Sequence, residues 1–504
     1  MLWLLATLCL LIALFSRASF FTQPFDSDSS MFIYAGKVAA QGQSLCRDFI
    51  DNKLPTVGLM MSAPWRLAGR DWPAYLLMQT AMALATTTIL WRTARKHIGP
   101  DAAIATGLFA LVYLNLNCVV FGGFQLETPQ ALLATIAAAA AMDALAGLDV
   151  RDALLVGLAA AAAALLKPTG LAALAAFLGC ILAAALAKHT MPLGTAASLI
   201  VAALIGAAIP TAVACIYITG TSDWSNLAPR LAQIASYAKH SAWDSSADWV
   251  KPIVIAVFPG FPLLVRWGVC RGQDRRNTER APALLVSFAL LWFILEIIGI
   301  VAQRRMYAYH FMTLAPPVAL LFGMIPRKAQ VAPLAAALLP ALLISASGSA
   351  QRIGAQFRWS DTLEATDYLA THATPGDAVW QDDAGRLLIE TGLQPGSRVI
   401  LTFLFGNDDQ APLKLGHIIV SDLTQRRPRW VLLPTRFERF VNLYVNGNLE
   451  LSRNPARGQN FKTAWREIHA YTLAHYRPVA YAWSSTIYER IDSPDTASAR
   501  LPEK

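Results

Sequence analysis

The chain has 504 residues, 55% hydrophobic and only 15% charged, with a formal net charge of +9 and a mean hydropathy of +0.42. A soluble domain carries about 25% charged residues, so these values exclude an ordinary soluble enzyme and require much of the surface to face lipid. The positive balance is not a nucleic-acid footprint, because the Lys and Arg residues gather in short loops between apolar runs; no nucleic-acid partner is implied.

A bilayer-spanning helix needs about 20 apolar residues. Runs of that kind fall at 2–20, 73–91, 101–121, 130–147, 153–169, 170–187, 195–218, 252–267, 282–302, 311–325 and 331–347, which gives eleven. The first has no basic residues before it and no small-residue cleavage site after it, so it reads as an uncleaved span. With the N-terminus inside, the inner loops hold Arg92, Arg95 and Lys96, then Arg151, Lys188, a group from Arg266 to Arg280, and Arg327 with Lys328. That recurrence at alternate loops is the positive-inside pattern. Arg17, just past the first span, opposes it and is outvoted. Segments 21–72, 122–129, 219–251 and 303–310 are therefore expected outside.

From about residue 348 the composition becomes that of a soluble domain. Helix-like stretches at 360–373 and 385–393 and an amphipathic 462–475 alternate with strand-like AVWQ at 378–381, VILTFLF at 399–405, WVLLP at 430–434 and a final strand pair at 478–491. Such alternation, with turn signals TPGD at 374–377 and QPGS at 394–397, predicts a small α/β domain. The fold class expected is a polytopic α-helical membrane protein of about 11 transmembrane helices with a C-terminal soluble α/β domain. Its domains are 1–347, including an outer loop 21–72, and 348–504.

The polar segment 26–56 concentrates Asp26, Asp28, Asp48, Asp51 and Lys53 in a chain that otherwise avoids charge. Asp26 and Asp28 form an Asp-x-Asp pair, a spacing that holds a metal in some transferases but lacks the strand-turn setting here. Either aspartate also suits a helix cap before MFIYA. Asp48 and Asp51 read as solvated loop carboxylates or as acceptor contacts. Lys53, before Leu-Pro, sits where a lysine either snorkels or binds a lipid phosphate. Glu127 stands in the outer loop at 122–129, either opening a helix or binding an acceptor. Lys167, in LLKPTG, is a charge among apolar residues: an intramembrane functional group or a snorkelling helix end. QRRMYAYHF brings Arg304, Arg305, Tyr307, Tyr309 and His310 to the outer side. Two arginines there run against the loop-charge trend, and a phosphate matches the guanidinium fork; an interfacial aromatic belt is the alternative. No cysteine or histidine spacing is that of a metal site.

Asp28 before Phe32, Ile33, Tyr34 and Ala35, the run Gly42, Arg47, Asp48, Phe49, Asp51, Lys53, Pro55, then Glu127, Lys167-Pro168-Thr169 and Tyr309-His310-Phe311 together resemble bacterial GT-C glycosyltransferases. More narrowly, they are similar to the superfamily of protein O-mannosyltransferases and aminoarabinose lipid A transferases (glycosyltransferase family 39-like). Ser29 departs from the pattern, since many relatives carry a second acidic residue there. The resemblance implies a membrane enzyme that takes a sugar from a polyprenyl-phosphate donor on the outer side of the bacterial inner membrane, with inversion. Its acceptor would be a glycan, lipid or protein. Asp28 would be the general base; Lys53, Arg304, Arg305 and Lys167 would bind donor phosphate; Asp26, Asp48, Asp51, Glu127, Tyr309 and His310 would line the acceptor side. No cofactor is required, and a divalent metal has no support beyond the Asp-x-Asp pair. The competing readings are a glycan polymerase or ligase with a diphosphate-linked donor, a transporter or flippase, and a non-catalytic sugar-binding protein.

Overall fold

The computed structural model describes residues 2–22, 26–51, 53–116, 124–187, 191–221, 224–240, 280–303, 307–324, 360–401, 409–447, 454–482 and 485–491, with a few single positions besides. It divides into two compact units. The first comprises Met1–Pro24, Trp72–Ile216 and Ser245–Gly354; the second comprises Phe25–Asp71, Tyr217–Asp244 and Ala355–Lys504.

The first unit is helical. Numbered in chain order over the whole protein, its helices are α1 (Leu2–Ala18), α4 (Trp72–His97), α5 (Pro100–Tyr113), α6 (Glu127–Gly147), α7 (Val150–Leu166), α8 (Ala172–Leu186), α9 (Leu193–Gly220), α11 (Arg280–Ala302) and α12 (Ala315–Gly323). Five described segments are long and apolar enough to cross a membrane: Trp72–His97, Glu127–Gly147, Pro168–Leu186, Leu193–Gly220 and Ala283–Ala302. The protein is thus a multi-pass membrane protein. The spans expected at 252–267 and, in nearly all positions, 331–347 lie outside the described residues.

Small residues set the packing. A Cβ on Gly157 of α7 would collide with the Ala203 carbonyl of α9, and a Cβ on Gly206 of α9 with the Leu154 carbonyl of α7. The two helices therefore cross backbone to backbone, the contact that glycine permits in lipid, where hydrophobicity itself drives no association. Aromatic rings fill the wider gaps. Phe109 stacks on Phe322 at 4.7 Å, and Trp292 is fully buried.

One interruption matters for chemistry. Pro168 disfavours helical geometry in the residue before it, so α7 ends at Leu166 and Lys167 is extended, with φ −149° and ψ 136°. A 3-10 turn, Pro168–Leu171, then leads into α8. Sequence runs 153–169 and 170–187 thus meet at a break that carries the lysine.

The second unit contains α2 (Ser27–Ala40), α3 (Pro55–Ala68), α10 (Trp224–His240) and an α/β region. Helix α2 lies tightly on α3: a Cβ on Gly36 would meet the Met61 carbonyl. Past α2 the chain turns at Gly42, whose φ of +72° favours glycine. The α/β region runs α13 (Ser360–His372), β1 (Ala378–Trp380), α14 (Gly385–Thr391), β2 (Gln394–Pro395), α15 (Ala411–Arg426), β3 (Trp430–Pro434), α16 (Phe437–Gly447), α17 (Pro455–His475), β4 (Tyr476–Ala482) and β5 (Ser485–Arg490). The sheet order is β2-β1-β3-β5-β4. Strand β1 is parallel to β2 and β3, whereas β3–β5 and β5–β4 are antiparallel. Trp380, Phe437, Phe461 and Trp465 sit in its core.

The strand expected at 399–405 differs. Among its described residues only Val399 pairs, in an isolated parallel bridge with Ile50, and 402–408 lie outside the described residues. The neighbour of β1 is instead the QPGS segment read as a turn. Its backbone bonds β1 and the residue before it, Gln394 N–H donating to Asp377 O at 2.9 Å and Gly396 N–H to Val379 O at 2.8 Å. The amphipathic 462–475 proves to be the second half of α17, while α15 and α16 had no expected counterpart.

Gly157→Val should disrupt the α7–α9 crossing. The expected loss is about 3 kcal/mol, typical of overpacking, read as a lowered thermal midpoint of the detergent-solubilised protein, with Gly157→Ala less harmful.

Candidate functional site

In the second unit, the polar segment begins at the N-terminus of α2. Asp26 is its N-cap: its carboxylate accepts the Ser29 N–H at 2.7 Å. The helix starts at Ser27, so Asp28 stands in the first turn, where the helix dipole favours a carboxylate, and is partly buried. The turn before α14 meets this end of the helix. Ser27 Oγ donates to Asp383 Oδ1 at 2.8 Å, and Gly385 comes so close that a Cβ would lie 2.9 Å from Ser30 Oγ. Asp383 is a non-glycine residue with φ of +60°, a backbone that aspartate tolerates better than most. Burial, then the charge of Asp28, raises the Asp26 carboxyl to about 8. Burial, then Asp382, raises Asp383 to about 7. Three carboxyl groups thus gather at one helix start, and two of them hold protons near neutrality.

Farther along, Asp48 is engaged by its neighbours. Arg47 binds it at 3.0 Å, and it accepts the Ser44 N–H at 3.0 Å. The Arg47 hydrogen bond holds its carboxyl below the usual range. Asp51 is buried, with 2% exposure. The chain here is clasped on two sides. Ile50 N–H donates to Arg398 O at 3.0 Å, and buried Arg230 of α10 reaches Lys53 O from Nε at 3.1 Å and Phe49 O from a terminal nitrogen at 3.4 Å. The Lys53 ammonium lies over the Phe32 ring, 5.9 Å from its centroid. Lys53 is thereby fixed relative to the helix that carries Asp28.

The first unit holds the other set. Glu127 opens α6 and is buried, with 2% exposure, and the Lys167 ammonium is ion-paired to its Oε1. His310 Nε2 is 3.8 Å from the same oxygen. Lys167 also lies over Tyr309, 5.6 Å from the ring centroid, and Tyr309 stacks on Tyr307 at 5.4 Å. The extended backbone before Pro168 and the 3-10 segment Ala308–Leu314 place these groups. Glu127, Lys167, Tyr309 and His310 are thus one cluster. Arg304 and Arg305 lie outside the described residues. Among the described residues no His, Cys, Asp and Glu group of three or more has a geometry that would hold a metal ion.

Four side chains were absent from the sequence-derived set. Glu296 is 1% exposed in α11, where Trp292 Nε1 donates to its Oε1 at 3.1 Å; a carboxylate inside an apolar span is a signal by itself. Arg17 was visible as an exception to the loop-charge pattern. Asp383 and Arg230 had no local signal, because their importance comes from contacts distant in sequence.

No family model matches the chain, and no curated protein matches it. Its fold, however, is shared with solved structures. It is similar to ArnT from Cupriavidus metallidurans bound to undecaprenyl phosphate, with a TM-score of 0.58 and 14% identity over 97% of this chain and 98% of that one. The apo state of the same protein gives a TM-score of 0.55 and 16% identity, with coverage of 96% and 97%. An Archaeoglobus fulgidus oligosaccharyltransferase, in complex with zinc and sulfate, is more distant, with a TM-score of 0.50 and 13% identity over 88% of this chain and 70% of that one.

Removing one member of a buried ion pair strands its partner, while removing both often restores stability. Lys167→Met and Glu127→Gln should each cost about 3–5 kcal/mol, and the double variant distinctly less than their sum; thermal midpoints of the four proteins check this. A second expectation concerns pH. The raised carboxyls at Asp26 and Asp383 bind more protons folded than unfolded from about pH 4 to about pH 8. Stability must therefore fall as pH rises through that window. Asp383→Asn, which keeps the Ser27 contact without a charge, should flatten this slope and be more stable than wild type at pH 8.

Proposed function

We propose that the protein transfers a sugar, with inversion, from a polyprenyl-phosphate donor to an acceptor on the outer face of the bacterial cytoplasmic membrane. The observation that carries this reading is a fold likeness spanning 97% of the chain to a protein solved with undecaprenyl phosphate. It is supported by the polar groups collected on segments that loop charge assigns to the outer side. The reading includes eleven spans, an N-terminus in the cytoplasm, a membrane catalytic part at 1–347 with the loop 21–72, and an extracytoplasmic domain at 348–504.

In the proposed reaction an acceptor hydroxyl attacks the anomeric carbon. The bond from that carbon to the phosphate oxygen breaks, and its electron pair leaves on the lipid phosphate. Asp28 takes the acceptor proton as general base. Lys53 stabilises the phosphate, and the hydrogen bond of Arg230 to its carbonyl helps keep the ammonium in place. Arg304 and Arg305 belong to the same task. Lys167 exchanges between Glu127 and the donor phosphate, while Glu127, Tyr309, His310, Asp26, Asp48 and Asp51 line the acceptor side. None of these steps needs a metal. A glycan ligase using a diphosphate-linked donor is the second reading, favoured by the likeness to an oligosaccharyltransferase.

Asp28→Asn should lower transfer from a polyprenyl-phosphate sugar by about 10²–10⁴-fold, the contribution of a general base, while undecaprenyl phosphate still binds. Envelope lipids and glycans compared by mass spectrometry, with and without the gene, identify sugar and acceptor. Full-rate transfer by the asparagine variant would remove Asp28 from its role.

A further inference from the structure

Arg17 is buried near the end of α1, with 5% exposure, and every partner the structure gives it is neutral. Its Nε donates to Asn115 Oδ1 at 2.7 Å, one terminal nitrogen to Gln79 Oε1 at 3.0 Å and the other to Leu114 O at 2.9 Å. A guanidinium has donors and no acceptor, so it fixes the orientation of the Gln79 amide, with oxygen toward Arg17 and nitrogen away. That nitrogen, on a fully buried side chain, donates to Thr128 Oγ1 at 3.0 Å. Thr128 has thereby received its hydrogen bond, and its own proton points onward to Met312 Sδ, 3.1 Å away. Thr128 follows Glu127 in the first turn of α6, and Met312 lies two residues past His310.

We propose that Arg17 is a positioning residue: a one-way donor chain through Gln79 and Thr128 to Met312 ties the Glu127 turn to the segment that carries Tyr309 and His310. Without the guanidinium, the Gln79 amide is free to turn its oxygen toward Thr128. The hydroxyl would then donate backward to Gln79, and the link to Met312 would be lost. The ion pair of Glu127 with Lys167 and its approach to His310 depend on both segments keeping their spacing. The effect on transfer rests on the proposed function; the donor chain does not.

The test is hydrogen exchange on the full chain in lipid nanodiscs, followed by mass spectrometry of peptides covering 124–130 and 307–314. Arg17→Met should speed exchange in both peptides by about tenfold, the scale of local opening when one buried link is lost. Gln79→Glu is the sharper variant. It gives Arg17 a charged partner, so the fold should be at least as heat-stable as wild type, yet it has no N–H to donate to Thr128. Exchange in both peptides should rise again, and binding of undecaprenyl phosphate should weaken by about fivefold or more. Arg17→Lys, which still donates to Gln79, should restore much of the protection. Unchanged exchange in both Arg17→Met and Gln79→Glu overturns the donor chain, even if the wild type binds undecaprenyl phosphate. If the wild type binds none, the proposed function fails while exchange alone judges the chain.

Discussion

A charge in an apolar interior has to be answered by an opposite charge or by a full set of hydrogen bonds. In the membrane unit that requirement shapes the surroundings of each buried ionisable group. Lys167 is delivered by a proline-induced break, where an extended backbone replaces a helical turn. Its answer is Glu127, at the start of another helix. Arg17 is answered differently, by one backbone carbonyl and two amide side chains. The first solution leaves a pair whose members can exchange partners with an anion. The second leaves a buried cation held by three hydrogen bonds to neutral groups, which suits a structural anchor rather than a ligand contact.

The second unit follows an opposite electrostatic plan. At the start of α2, carboxyl groups crowd together, and two of them carry protons near neutral pH. The Ser29 N–H donates to Asp26 and the Ser27 hydroxyl to Asp383, and the helix dipole favours negative charge at this end. Protons thus do here what Lys167 does in the other unit.

How much of this was legible in the sequence follows from the range of the forces involved. Apolar runs and loop charge are local, so the spans at 73–91, 130–147, 170–187, 195–218 and 282–302 fall on helices long and apolar enough to cross a membrane, while in that at 101–121 α5 ends at Tyr113. Strands at 378–380 and 430–434 were readable for the same reason, being short β-branched or aromatic runs between turn signals. The strand expected at 399–405 was not, because pairing depends on a partner the sequence does not name, and β1 found one in the QPGS segment. Among the candidate residues Asp28, Lys53, Glu127, Lys167, Tyr309 and His310, singled out by their order, the structure gathers the last four into one cluster. That Asp48 would be occupied by Arg47 was foreseeable from adjacency. The roles of Arg230 and Asp383 were not, since each meets the polar segment across more than 170 residues of chain.

The partners of Arg17 also set an order of events during synthesis. A lone arginine in a span costs about 2.5–3.5 kcal/mol on insertion scales, less toward the ends, and Arg17 emerges with α1 before anything can receive it. Gln79 lies 62 residues downstream and Asn115 98 residues downstream. At about 5–20 residues per second, α1 waits on the order of 5–20 s for its full set of acceptors. Until the residues after α5 are made, α1 lacks part of the set that holds its arginine. A helix made before its partners is therefore locked only after them.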